Sequence, residues 1–138
     1  MVKTEQIQLE TEGFCDLHDI TGEVSRKVRD SGMKSGIVTV FVSGATGGIT
    51  TIEYESGLVQ DFRKFWEKLV PQDDFYAHNA RWHDGNGFSH MRASILGPSI
   101  TVPFVDRKLT LGTWQQIIFV DFDNKNRNRT LIVQIMGE

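Results

Sequence analysis

Three of the four histidines, His78, His83 and His90, fall within 13 residues of one another. Imidazole is the commonest protein metal ligand and the natural acid or base near neutral pH. The spacing H-x4-H-x6-H lacks the i, i+4 pair of a zinc-protease helix. A loop running into a helix start would still let His78, His83 and His90 meet around a metal. Asp84 would then serve as a fourth ligand or as the carboxylate that orients an imidazole. Three protein ligands plus a water is the pattern of a catalytic zinc centre. Gly85-Asn86-Gly87 permits sharp turns of the backbone close to a ligand. His90 falls in the first turn of the helix that follows, where backbone N–H groups favour anions. The competing reading of the same segment is a set of hydrogen-bonded surface histidines.

Other polar groups are candidates to serve such a site. Ser43 to Thr50 is rich in glycine and hydroxyl groups and follows an apolar run, so Ser43, Thr46 and Thr50 are candidates to cradle a phosphate. No Gly-Lys-Ser/Thr follows, so the segment is not a Walker A loop, and a tight strand connection explains it equally well. Glu53 and Glu55, two apart in an expected strand, share a face. Glu53 is a candidate functional carboxylate, with one solvated sheet face as the alternative. Arg81 and Arg92 flank the histidines and would bind phosphate or pair with carboxylates. Lys125, Arg127 and Arg129 read as a solvated turn. Cys15 has no activating neighbour in sequence.

These groups need a scaffold, and the periodicities supply one. Alternation over Thr4 to Thr11, with Ile7 and Leu9 on one face, predicts a strand. Ile20, Val24 and Val28 recur every four residues and predict a helix capped by Asp19 and ended near Gly32. Gly36 to Val42 is β-branched and reads as a buried strand, and Ile49 to Glu55 as another. Leu58, Phe62, Phe65, Trp66 and Leu69 follow helical spacing until Pro71 stops them. Pro71 to Phe88 has no clean period. Ser89 to Leu96 reads as a helix capped by Ser89. Ser99 to Val105, Lys108 to Gly112, Trp114 to Asp123 and Arg129 to Gly137 read as strands, the last two joined by the polar turn from Asp123 to Asn128. Mixed elements early and antiparallel strands late predict an α+β fold, a single domain over 1–138, with helices on a largely antiparallel, β-sandwich-like sheet.

Composition narrows the function. With 138 residues, a formal net charge of -3 and 24% charged residues, the chain lacks the basic excess of a general nucleic-acid binder. No apolar run approaches a membrane span, no secretory h-region is visible, and a single cysteine suits a reducing compartment. A cytoplasmic protein without nucleic-acid or membrane partners is expected.

Several stretches together resemble the YjbQ family, also called secondary thiamine-phosphate synthase enzymes. They are Gly36 to Val42, Gly85-Asn-Gly-Phe-Ser-His90 followed by Arg92 to Gly97, Leu111-Gly-Thr-Trp-Gln115 and Val133 to Glu138. The resemblance implies an α+β fold, a homotrimer, a phosphorylated small-molecule partner and weak thiamine-phosphate synthase activity. That reaction joins a pyrimidine-methyl diphosphate to a thiazole phosphate and releases pyrophosphate. Carried over by position, Asn86, His90 and Glu53 fall on the family's site residues, with His78 and His83 in the stretch that supplies further polar groups. One departure is plain: Gly44-Ala-Thr46 stands where many members carry His-Thr-Thr. Charge neutralisation and positioning suffice for diphosphate departure, so no protein nucleophile is needed. A divalent metal, zinc or magnesium, is a candidate cofactor, and three histidines favour zinc. Two other functions fit the same residues: metal-dependent hydrolysis, and a non-enzymatic trimeric metal- or anion-binding protein with its site between subunits.

Overall fold

The computed structural model describes residues 1–138. Eight strands and four helices follow one another as β1 (Val2–Thr11), β2 (Asp16–Asp19), α1 (Thr21–Asp30), β3 (Gly36–Val42), β4 (Gly47–Ile52), α2 (Ser56–Leu69), α3 (Ala77–Trp82), α4 (Gly87–Leu96), β5 (Ser99–Val105), β6 (Lys108–Leu109), β7 (Gln116–Asp121) and β8 (Arg127–Gly137). They make two antiparallel sheets, β1-β8-β3-β5-β6 and β2-β7-β4. This is the expected α+β architecture.

Two apolar layers hold it. The inward residues of the larger sheet, among them Ile7, Val38, Val40, Phe104, Leu131, Val133 and Ile135, meet Ile49, Ile117 and Phe119 of the smaller sheet, Val24 and Val28 of α1 and Ile20 just before it. Strand β7 is buried on both faces, which its unbroken Ile-Ile-Phe-Val run requires. Ile118 and Val120 point the other way, against Trp66 of α2 and Phe88 and Ala93 of α4. Phe119 is fully buried, and such a side chain contributes about 1.5–3 kcal/mol. The smaller sheet is therefore the middle layer, and α2 and α4 form the third. No helix is long and apolar enough to cross a membrane.

Local chemistry moved several boundaries. Strand β2 was not expected, and Asp19 ends it while accepting the Thr21 N–H at 3.0 Å, one residue outside the α1 cap. Strand β4 ends at Ile52 because the Glu55 carboxylate turns to accept the N–H groups of Gly57 and Leu58 and caps α2. Trp114 is exposed before β7 begins at Gln116. The aperiodic stretch contains a short helix, α3, and α4 begins at Gly87 rather than at Ser89.

Candidate functional site

The histidine segment folds as α3, a reversal and α4. His83 ends α3 in the left-handed region at φ 59°, and Gly85 follows at φ +70°, so the chain doubles back within a few residues. The Asn79 Oδ1 accepts the Gly87 N–H at 2.8 Å and ties the two helices together. Gly87 is required at this crossing, because a Cβ there would lie 2.6 Å from the Tyr76 Cβ. The result is one pair of imidazoles: the rings of His78 and His90 have centroids 4.4 Å apart at 42°. The Asp84 carboxylate lies 3.3 Å from His78 Nδ1, close enough for charge attraction, although that buried nitrogen has no hydrogen-bond partner. Burial, then the neighbouring His78, pull the His90 pKa below its usual value, against the opposing pull of Asp84 and Asp123. His90 is therefore neutral at pH 7, an acceptor on one nitrogen and a donor on the other.

Beneath α4 lies a polar cluster built by both sheets. The inward stripe of β7, Ile117 and Phe119, continues through Asp121 to Asp123 just past the strand end. The inward stripe of β8, Ile135, Val133 and Leu131, continues back through Arg129 and Arg127. Charges thus occupy one end of the layer between the sheets, where apolar residues hold the middle. Asp121 and Asp123 are completely buried. Asp121 accepts Arg129 through Nε at 2.6 Å and Nη2 at 2.9 Å, and the Thr11 hydroxyl at 2.6 Å. Asp123 accepts the Asn124 N–H at 2.8 Å, Asn86 Nδ2 at 3.3 Å, Arg127 Nε at 2.8 Å and the Thr46 hydroxyl at 3.0 Å. Burial alone would raise the Asp123 pKa; the Asn124, Asn86, Arg127 and Thr46 bonds outweigh it and hold the carboxyl below its usual range. Asn86, the α4 N-cap residue, leaves its Oδ1 buried without a partner. Its amide cannot be reversed, because an ionised Asp123 requires the N–H₂ end. Ser89 donates to the Phe122 carbonyl and fixes α4 on β7.

The remaining candidates lie in varied places. His83 is exposed and is not brought beside the other two histidines. No three His, Cys, Asp or Glu side chains converge as a metal would need. Arg81 is exposed, 5.4 Å over the Trp82 ring. Arg92, only 1% exposed, is spent on the Val70 carbonyl at 2.9 Å and the Glu67 carboxylate at 3.0 Å, because its turn of α4 faces α2. At that burial it presents no open N–H face to a phosphate beside the histidines. Glu53 is exposed beyond β4, not on a strand face with Glu55. Ser43 is exposed in the β3–β4 loop, Thr46 is buried in the Asp123 cluster, and Thr50 pairs with Ile118 in the ladder. Arg127 and Arg129 are not a solvated turn: the Arg129 side chain is 10% exposed and doubly bonded to Asp121. Sequence reading gives Asp121 and Asp123 a place at the end of a strand but no part in a site, although carboxylates at core positions of a continuing strand are the signal. Cys15 is buried, and burial, outweighing Arg92 and Arg63, pushes its pKa up to about 12.

Comparison with known proteins agrees with this fold. The model of the UPF0047 protein YjbQ-like family matches residues 5–138. A UPF0047 protein of Methanothermobacter thermautotrophicus is 41% identical over 137 residues, 99% of this chain and 94% of the relative. The YugU protein of Bacillus subtilis is 32% identical over 99% of this chain and all of its own length. The crystal structure of a YbjQ-like protein of unknown function from Sulfolobus solfataricus superposes with a TM-score of 0.95 at 33% identity, covering 100% of this chain and 99% of that one. An uncharacterised conserved protein of Clostridium acetobutylicum superposes at 0.87, with 32% identity over 96% of this chain and 99% of its own. With the family model matching residues 5–138 and a relative 41% identical over 99% of this chain, the chain belongs to the YjbQ-like UPF0047 family.

Proposed function

We propose that the chain is a small transferase of the thiamine-phosphate synthase type, acting on phosphorylated heterocycles at the His78–His90 pair. The observation that supports this is the pair itself: two imidazoles in contact, half-buried, His78 with Asp84 3.3 Å away and His90 held neutral by burial and by its neighbour. In the proposed reaction the bond from the methylene carbon to the diphosphate oxygen breaks, and the thiazole nitrogen supplies the electron pair for the new C–N bond. The diphosphate leaves with the electrons of the broken bond. No proton need leave the nucleophile, so the imidazoles act by holding the heterocycle through hydrogen bonds. The neutral His90 ring offers an acceptor to ring or amino N–H groups.

A metal-dependent reading, with zinc or magnesium at His78 and His90, lacks a third ligand within one chain. A homotrimer would be the source of one. Exposed Phe65, Leu69 and Ile95 form an apolar surface on α2 and α4 that another copy would cover. Incubation with a pyrimidine-methyl diphosphate and a thiazole phosphate should yield the joined product by mass spectrometry, with none from His90→Ala. Metal analysis and light scattering on the same sample separate the alternatives. Stoichiometric zinc in a particle three times 15.7 kDa, without product, favours the binding protein.

A further inference from the structure

We infer that Arg127 and Arg129, rather than Arg81 and Arg92, bind the phosphate or diphosphate group of the ligand, beside Gly44 at the open end of the two-sheet layer. That the ligand is a phosphorylated small molecule rests on the transferase reading; the anion site stands on its own geometry. Both guanidiniums are held from behind. Arg129 spends Nε on Asp121 and Nη2 on Asp121 and the Thr46 hydroxyl, 2.7 Å away. Its Nη1 has no partner in the chain and faces Gly44, where an added Cβ would lie 3.1 Å from it. Arg127 spends only Nε, on Asp123, and both of its Nη groups are free. The two groups are neighbours, since Asp123 Oδ2 lies 2.8 Å from Arg127 Nε and 3.7 Å from Arg129 Nη2. Side chains anchored this way have already lost the rotamer freedom that an anion would otherwise have to freeze. Their outward N–H groups suit tetrahedral oxygens, and guanidinium–phosphate bonds are among the stronger hydrogen bonds.

The surroundings place the anion. The connecting residues Ser43 to Thr46 contain no acidic residue, and the absence of a side chain at Gly44 opens the approach to Nη1. The cleft beside Arg127 is lined also by Glu10 and Glu12, which oppose an anion there. The anion therefore sits on the Gly44 side. Asp123 links this site to the imidazole pair, because its other oxygen holds Asn86 at the start of α4. A phosphate at the arginines and a heterocycle at the histidines would thus be organised from one carboxylate.

Calorimetric titration with inorganic diphosphate and phosphate tests the site. Wild type should bind diphosphate, more weakly as salt rises. Gly44→Val fills the approach without removing a charge, and Gly44 has no left-handed φ to strain. It should weaken binding about tenfold or more, the worth of one lost charge-assisted bond. Arg127→Gln should weaken it by about the same factor, and joint Glu10→Gln and Glu12→Gln substitution should tighten it a few-fold, roughly. Arg129 itself is unsuitable, since its loss strands Asp121. Equal binding by wild type and Gly44→Val overturns the proposal, as does binding lost in His90→Ala but kept in Gly44→Val, or no binding by folded wild type. Intact diphosphate binding with no joined product refutes the transferase reading alone.

Discussion

Replacing Arg129 with methionine removes one partner of a buried ion pair and keeps much of the side chain's bulk. Asp121 is completely buried and the Arg129 side chain is 10% exposed, so water reaches neither charge freely. The substitution deletes both Arg129–Asp121 hydrogen bonds and the bond to Thr46. The Asp121 carboxylate keeps only the Thr11 hydroxyl at 2.6 Å and the Asp123 N–H at 3.0 Å. Stranding one member of a buried pair costs about 3–5 kcal/mol, and the two surviving donors place this case near 3. For a chain of 138 residues that lowers Tm by roughly 10 °C. Urea unfolding followed by tryptophan fluorescence reads the loss, since Trp66 is buried in the layer beneath β7. Adding Asp121→Asn removes the stranded charge, so the double variant should recover about 1 kcal/mol relative to Arg129→Met. A single-variant loss under about 1 kcal/mol, or strictly additive losses, would refute the claim that the cluster is an interlocked buried network.

Three further outcomes follow from the same geometry. His90 should titrate below its usual 6.5 by NMR; Asp84→Asn should lower its pKa further, and His78→Ala should raise it. Because the folded-state value is depressed, the folded chain binds fewer protons than the unfolded one, and His90's share of stability is lost as pH falls from 6.5 toward the folded pKa. Gly87→Ala should cost about 1–3 kcal/mol in urea melts and separate the two histidine rings, because the new methyl collides with Tyr76. Arg92→Met should destabilise by about 2 kcal/mol through the Val70 carbonyl left without its donor, whereas Arg81→Ala should change stability by under about 0.5 kcal/mol.

Much of the architecture is legible in one sequence because burial imposes a period. The Ile20, Val24, Val28 stripe and the β-branched run from Gly36 to Val42 have no other stable placement, and both fold as expected. The histidine pair was half legible. Spacing showed that His78, His83 and His90 are near in the chain, but the left-handed turn at His83 sends that side chain outward, and no pattern rule reads a turn from a histidine. The charged cluster was hidden for a different reason. Arg127 and Arg129 read by polarity as a solvated turn, and Asp121 and Asp123 only as the end of a strand, although strand period places all four inward; only the facing sheet supplies the opposite charges that make burial tolerable. Arg92 shows the converse, a cation near the histidines in sequence that helix geometry turns toward Glu67.

The most direct measurement is the pH dependence of kcat/KM for pyrophosphate release from the pyrimidine-methyl diphosphate at saturating thiazole phosphate. If the neutral His90 imidazole holds the substrate, the rate of wild type rises through a transition below pH 6.5, and Asp84→Asn moves that transition lower. No release by the folded protein, or a transition that ignores Asp84→Asn, would contradict a reaction centred on His78 and His90.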